Sequence, residues 1–337
     1  MRPFTYQRAG DAGQAVRAGQ YTGQGQVDAA TQYLAGGTTV IDLMKLDVLR
    51  PHTLVDINPL GERFGEIAIS ADGLRLGAFV KMAAAADHAG IQRDYPVIAQ
   101  SLQLAASAQL RNMATLGGNV LQRTRCQYFR DPSWGQCNKR EPGSGCAAIG
   151  GANRNFAVLG VDDSCISQSP GDFSIALIAL DAQVEILGRG GARVIPFASL
   201  HKPAAGTPHI ETTLHAGDVI TAFHVPARAG TRRSLYLKIR DRESYEFAIA
   251  SAAVALDMDG AVVRHARIGL GGMAYRPWRA TYAEAFLAGK TLNEETATAA
   301  ALLALQGAVT HGENAYKPEL GRQTLIRALL QAAAMEI

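Results

Sequence analysis

Apolar and polar positions alternate across residues 1–8 as an opening strand requires, and a second strand-like run at 31–35 leads into a glycine-rich turn. Beyond the turn, Ile41, Leu43, Met44 and Leu46 follow helical spacing, and the Pro51 region ends that helix. Residues 53–57 read as a strand. The runs 67–69 and 74–76 flank Ala71-Asp72-Gly73, a turn sequence that predicts a hairpin. Helices are expected over about 81–90, and from Pro96 through Ala99, Leu102, Leu104 and Ala105. After a long irregular stretch, 173–180 reads as a helix, and 184–187 with 193–195 as a second hairpin around the glycines at 188–191. Residues 226–230 make the best domain boundary. Beyond them two strands turn at Asp259-Gly260, and Ala- and Leu-rich helices close the chain. The pattern is α+β without an internal repeat, and residues 19–26 (GQYTGQGQ) are expected to form a flexible surface loop.

Composition narrows the function classes. With 337 residues, 47% of them hydrophobic, the chain can bury one or two cores without covalent staples. Charged residues are 19% and the net charge is +3, with no run of like charges to suggest a nucleic-acid tail or a membrane patch. No apolar stretch is long enough to span a membrane. The first residues lack the apolar region of a signal peptide, so the expected location is the cytoplasm, or the periplasm by co-export with a partner. The eight histidines show no ligand spacing such as H-E-x-x-H, and scattered surface positions suffice for them.

All four cysteines fall in one stretch: Cys126, Cys137, Cys146 and Cys165. The segment around them reads as loop rather than core and carries Arg123, Arg125, Arg130, Lys139, Arg140 and Arg154. Three readings compete. Disulfides need an oxidising compartment and usually serve small domains with little core. Zinc prefers paired ligands on tight knuckles, whereas the gaps here are 10, 8 and 18 residues. An iron–sulfur cubane takes four thiolates and can be wrapped by a long loop, and nearby cations favour thiolate over thiol. Spacing alone leaves zinc and iron both open.

Two glycine turns carry a second layer of chemistry. Leu34-Ala35-Gly36-Gly37-Thr38-Thr39 lies between a strand and a helix, where backbone N–H groups can approach phosphate oxygens and the helix N-terminus adds a favourable dipole. Asn112-Met113-Ala114-Thr115-Leu116-Gly117-Gly118-Asn119 enters the cysteine stretch. Either one is also explained as a tight turn with Thr or Asn capping. Neither continues as a P-loop, and Gly269-Leu270-Gly271-Gly272 lacks the later spacing of a dinucleotide fingerprint.

Taken in order, Ala35-Gly36-Gly37-Thr38, Leu43-Met44-Lys45, Leu54-Val55-Asp56-Ile57 and Arg111-Asn112-x-Ala114-Thr115-x-Gly117-Gly118-Asn119 resemble the FAD-binding subunit of the xanthine dehydrogenase and aldehyde oxidoreductase family, the molybdenum hydroxylases. The likeness spans nearly the whole chain, including Gly269 to Gly272 with Pro277-Trp278-Arg279. Within the family, Gln122-Arg123-Thr124-Arg125-Cys126, Cys137-Asn138-Lys139-Arg140 and Gly143-Ser144-Gly145-Cys146 resemble the periplasmic aldehyde oxidoreductases, whose flavin subunit carries an additional [4Fe-4S] cluster.

The resemblance implies a two-lobed FAD-binding domain of the vanillyl-alcohol-oxidase/PCMH type over 1–228, with lobes of about 1–57 and 58–228 and a cysteine-rich loop at 121–168. A smaller C-terminal domain of antiparallel sheet and helices would follow over 229–337. It implies FAD contacts from Leu34, Ala35, Gly36, Gly37, Thr38, Thr39 and Val40, then from Thr115, Gly118 and Asn119. Asp172, in Ser169-Pro170-Gly171-Asp172, would add a carboxylate, with helix N-cap as its plainer role. Lys238 would stand near the isoalloxazine, its plainer reading being a surface strand lysine; Leu121 and Ile220 would pack near the ring or simply in the core. Cys126, Cys137, Cys146 and Cys165 would hold the cluster. Arg240-Asp241-Arg242-Glu243-Ser244-Tyr245 is either a solvated turn or a wall of the flavin entrance with Tyr245 near the ring. The implied partners are a molybdenum cofactor-binding large subunit, a [2Fe-2S] small subunit and an external electron acceptor, without nucleic acid; the likeness to the cluster-bearing branch favours a non-nicotinamide acceptor, the alternatives being a subunit that reduces NAD as many relatives do, or a non-catalytic assembly subunit with a structural zinc loop. The resemblance implies electron transfer for this chain, with no catalytic residue.

Overall fold

The structure, a computed structural model, describes residues 1–20 and 27–337. Three sheets organise it. Thr5–Arg8 and Thr31–Leu34 both pair in parallel with Thr53–Asp56, which lies between them. Parallel pairing needs crossovers, supplied by the helices Ala12–Ala18 and Val40–Lys45. The first glycine turn therefore leaves the carboxyl end of a parallel strand, where open α/β sheets present ligand sites.

The second sheet is antiparallel, in the order Ile67–Ser70, Gly73–Gly77, Val219–Pro226, Gln183–Gly188, Gly191–Pro196. Both expected hairpins are present, joined by the late strand Val219–Pro226 between them. The third sheet runs Trp278–Arg279, Val262–Gly271, Ala250–Asp259, Ser234–Ile239, and is covered by Thr281–Leu287, Glu294–Ala304 and Lys317–Ala333. Helix Asp172–Ala179 is buried throughout and lies between the second and third sheets. The close packing is set by Gly269, where a Cβ would come within 2.6 Å of the Ile175 carbonyl oxygen. No helix among the described residues is long and apolar enough to cross a membrane.

Three local expectations are corrected. The helix over 81–90 is two short ones, Met82–Asp87 and Ala89–Asp94, because His88 adopts an extended conformation (ψ 115°) and its ring nitrogen accepts from the Ile91 N–H at 3.4 Å. The cysteine stretch is packed rather than loose. Phe129, Ala148 and Ile166 are fully buried; Cys137 packs with Leu43, Met44 and Leu54 of the first lobe, and Val158 and Leu159 join the core of the third sheet. Asp172 does not cap its helix: the N-cap position is Gly171, and the Asp172 carboxylate is engaged elsewhere. Of the 19–26 loop, residues 21–26 lie outside the described residues, and Gly19 closes the first helix by donating to the Ala15 carbonyl.

Candidate functional site

The two glycine turns, separate in sequence, touch. A Cβ on Gly36 would lie 2.3 Å from the Met113 carbonyl oxygen, so only glycine lets the first turn seat against the second. Between them opens a cleft of about 290 Å³. Ala35, Gly36, Gly37, Thr38, Thr39 and Val40 line it on one side, and Thr115, Gly118, Leu121 and Ile220 on the others. The turns differ in what they leave free. In the second, Leu116 and Gly117 donate to Val80 and Ala78, and Gly118 to the Thr115 hydroxyl at 3.2 Å, so Thr115 does cap its helix. In the first, the N–H groups of Gly36, Gly37, Thr38, Thr39 and Val40 find no acceptor among the described residues. Gly37 sits at φ +76°, which curls these amides into a nest suited to anionic oxygens. The following helix, Val40–Lys45, has only six residues, so its dipole adds little to what these amides offer.

Leu34, Asn119, Asp172 and Lys238 stand off the cleft wall. Leu34 is the last strand residue and its carbonyl accepts from Ile57. The Asn119 side-chain oxygen is buried without a hydrogen-bond partner, which leaves it available to a ligand beside the second turn. Lys238 is no surface lysine: its side chain is 1% exposed and its ammonium donates to Asp172 at 2.8 Å and to the Leu104 carbonyl at 3.0 Å. Tyr236, two residues earlier on the same strand face, donates to Asp172 at 2.6 Å. Burial raises the Asp172 pKa, offset only in part by Lys238, Tyr236 and Arg240. Asp172 and Tyr236 border a separate small hollow that shares Ser169 and Pro170 with the cleft. Tyr245 is exposed and lies outside the cleft wall; the charged turn around it is tied back by Arg154, which donates to both Asp241 oxygens at 2.7 and 3.0 Å.

The other end of the cleft holds charges that sequence reasoning did not single out for this site. The Lys139 ammonium, in a side chain 4% exposed, donates to Glu211 Oε1 at 2.6 Å, to the Tyr275 hydroxyl at 2.8 Å and to the Pro208 carbonyl at 3.3 Å. Arg123 pairs with the other Glu211 oxygen and stacks over Phe129. Two cations thus share one carboxylate. Burial alone would raise the Glu211 pKa, but Arg123 and Lys139 outweigh it and lower it. Burial drives His201 down to about 4, so its imidazole is neutral at pH 7, with Nε2 3.2 Å from the Val120 carbonyl.

The four cysteines are free thiols. Cys137 and Cys146 face each other across an antiparallel bridge, and Cys146 and Cys165 share a hydrogen bond. Neighbouring backbone amides lower the thiol pKa values in part, those of Tyr128 and Phe129 at Cys126, Lys139 and Arg140 at Cys137, Ala148 and Ile166 at Cys146, and Ser167 at Cys165. Among the described residues no three His, Cys, Asp or Glu side chains converge as ligands of a single metal ion. Asn138 ties the ligand segments together, accepting from Gly143 and Gly145 and donating to the Ser164 carbonyl at 2.9 Å.

Residues 2–228 match the profile of the FAD binding domain in molybdopterin dehydrogenase, and residues 235–332 that of the CO dehydrogenase flavoprotein C-terminal domain. The chain belongs to the FAD-binding subunits of the molybdenum hydroxylases. This subunit is 42% identical to the aldehyde oxidoreductase FAD-binding subunit PaoB of Escherichia coli K12, over 99% of both chains. It is 26% identical to the carbon monoxide dehydrogenase medium chain of Hydrogenophaga pseudoflava, over 92% of each. A solved structure of carbon monoxide dehydrogenase from the same organism, lacking the Mo-pyranopterin moiety of its cofactor, superposes with a TM-score of 0.73 over 98% of this subunit and 97% of that chain, at 26% identity. The resemblance drawn from the two glycine turns is thereby confirmed at the level of the family and of the α+β fold.

Proposed function

We propose that this subunit binds FAD in the cleft and a [4Fe-4S] cluster on Cys126, Cys137, Cys146 and Cys165, and that it conducts electrons within a molybdenum-dependent aldehyde oxidoreductase. The observation that carries the reading is the pairing of the unspent amides of Gly36 to Val40 with four free thiols gathered close enough to interact with one another. The amides take the cofactor's phosphates. Leu121 and Ile220 supply apolar wall beside the ring, and Asn119 offers its unpartnered oxygen. Asp172 and Lys238 support the wall from behind, through Ser169 and Pro170, and the one-carboxylate, two-cation end of the cleft favours negative charge on the ligand. Flavin, when bound, would hold one or two electrons and the cluster one.

The aldehyde substrate follows from the 42% identity to the aldehyde oxidoreductase subunit. A large molybdenum subunit, a [2Fe-2S] small subunit and a non-nicotinamide acceptor complete the proposed path. Anaerobic purification with flavin and metal analysis tests the core of the reading, and the expected result is about one FAD and four iron per chain. Stoichiometric zinc without flavin absorbance would overturn it.

A further inference from the structure

Lys139 belongs to both sites at once. It follows Cys137 by two residues, within a tight turn in which Arg140 and Glu141 both donate to the Cys137 carbonyl. Its side chain leaves that turn and ends in the cleft wall, where its three hydrogen bonds go to Glu211, Tyr275 and Pro208. An ammonium has three donors, so none is left to adjust. The partition between the sites is thin. Cys165 and Tyr275 belong to one small buried cluster with Ala204, and the Cys165 sulfur lies 3.3 Å from the Ser167 hydroxyl, while Tyr275 and Ser167 both line the cleft.

Resting on the proposed function above, we propose that Lys139 is a positioning residue that couples occupancy of the cysteine site to cofactor binding in the cleft. A filled thiolate site fixes the turn at 137–141, and that turn fixes where the ammonium can stand. With the ammonium in place, Glu211 is held between Lys139 and Arg123, and the wall keeps its shape and its surplus positive charge. When the turn relaxes, the buried stem must move, because its tip and its backbone are both committed. Linkage then requires that FAD binding favour the ordered cysteine site by the same factor.

The test is a double-mutant cycle on the full chain, reading the FAD dissociation constant by flavin fluorescence, iron per chain and melting temperature. Cys137→Ser is expected to lose iron and to weaken FAD binding about tenfold, within the usual range of coupling between sites. Lys139→Met is expected to weaken FAD binding by a similar factor with iron retained. The double variant should bind FAD no worse than the weaker single variant, since both changes interrupt one connection. Independent losses that multiply, or an unchanged FAD affinity in Lys139→Met, would overturn the coupling. If Lys139→Met does not fold, Tyr275→Phe removes one anchor and keeps the charge; a loss of about threefold is expected that vanishes in the Cys137→Ser background, and a loss persisting there overturns the proposal. A wild-type chain lacking flavin or iron is a separate outcome, which overturns the function reading itself.

Discussion

Two buried lysines share their surroundings with a carboxylate and a tyrosine, and they do different things. Lys238 meets Asp172 behind the wall, one cation to one anion, and Tyr236 donates to the same carboxylate. Lys139 meets Glu211 in the wall itself, where Arg123 brings a second cation to the same carboxylate. The two acids respond in opposite ways to similar burial: the Asp172 pKa is raised and the Glu211 pKa is lowered. One paired lysine, even with Arg240 acting at longer range, does not overcome desolvation of its partner, whereas two paired cations do. The first arrangement is balanced; the second holds spare positive charge beside the cleft proposed to take FAD.

Removing one group from each cluster tests that contrast most strongly. Glu211→Gln leaves Arg123 and Lys139 buried without their counter-ion, and arginine does not release its proton in a protein. The expected loss is about 3–5 kcal/mol of stability at pH 7. Lys238→Met leaves a buried carboxylate instead, and that group can take up a proton, so its loss should be smaller and should shrink as the pH falls. Denaturant unfolding of both variants measures the difference. A larger cost for Lys238→Met would mean that surplus charge is not what separates the clusters.

His201 sharpens the comparison from the cleft side, being buried near Glu211, Arg276 and Lys139. Its folded pKa, about 4, lies below the ordinary 6.5, so the unfolded chain takes up the proton first as the pH falls. Stability from the neutral ring is complete above pH 6.5 and is lost progressively down to about 4. At roughly 1.4 kcal/mol for each tenfold change in proton affinity, the loss amounts to about 3 kcal/mol. His201→Gln should flatten that part of the stability–pH curve; an unchanged slope would place the ring in solvent contact.

Much of this was legible along the chain. The three strands of the first sheet, the glycine turn between strand and helix, and both hairpins follow from periodicity and turn chemistry within short windows, whereas the parallel pairing of those strands does not. The gathering of four cysteines in one segment was visible too. What was hidden is what distant segments make together. Glu211, Tyr275, Arg123 and Lys139 come from four places, and nothing local to Glu211 or Tyr275 marks either one. Asp172 shows the opposite failure: an acid before an apolar run looks like an N-cap, but Lys238 and Tyr236 claim its oxygens. One signal for that pair was available, since Tyr236 and Lys238 stand two apart on a strand and so face the same way. His88 broke an expected helix by a single ring-to-backbone bond, a competition that helical periodicity does not register.

The finest test compares the signs of two pH effects. Because Asp172 has a raised folded pKa, its folded form keeps a proton that the unfolded chain gives up first. The stability of the wild type relative to Asp172→Asn should therefore fall as the pH rises from 3.8 through the folded pKa. Glu211 has a lowered folded pKa, so wild-type stability relative to Glu211→Gln should grow as the pH rises from the folded value to 4.5, and be lost again on acidification. A tenfold change in a carboxyl's dissociation constant corresponds to only about 1.4 kcal/mol, so both effects should be small beside the loss expected for Glu211→Gln at pH 7. Their opposite slopes are the diagnostic, since a general acid destabilisation would tilt both curves the same way. Parallel curves would show that the second cation, Arg123, does not reach Glu211 in solution, and the two clusters would then be equivalent.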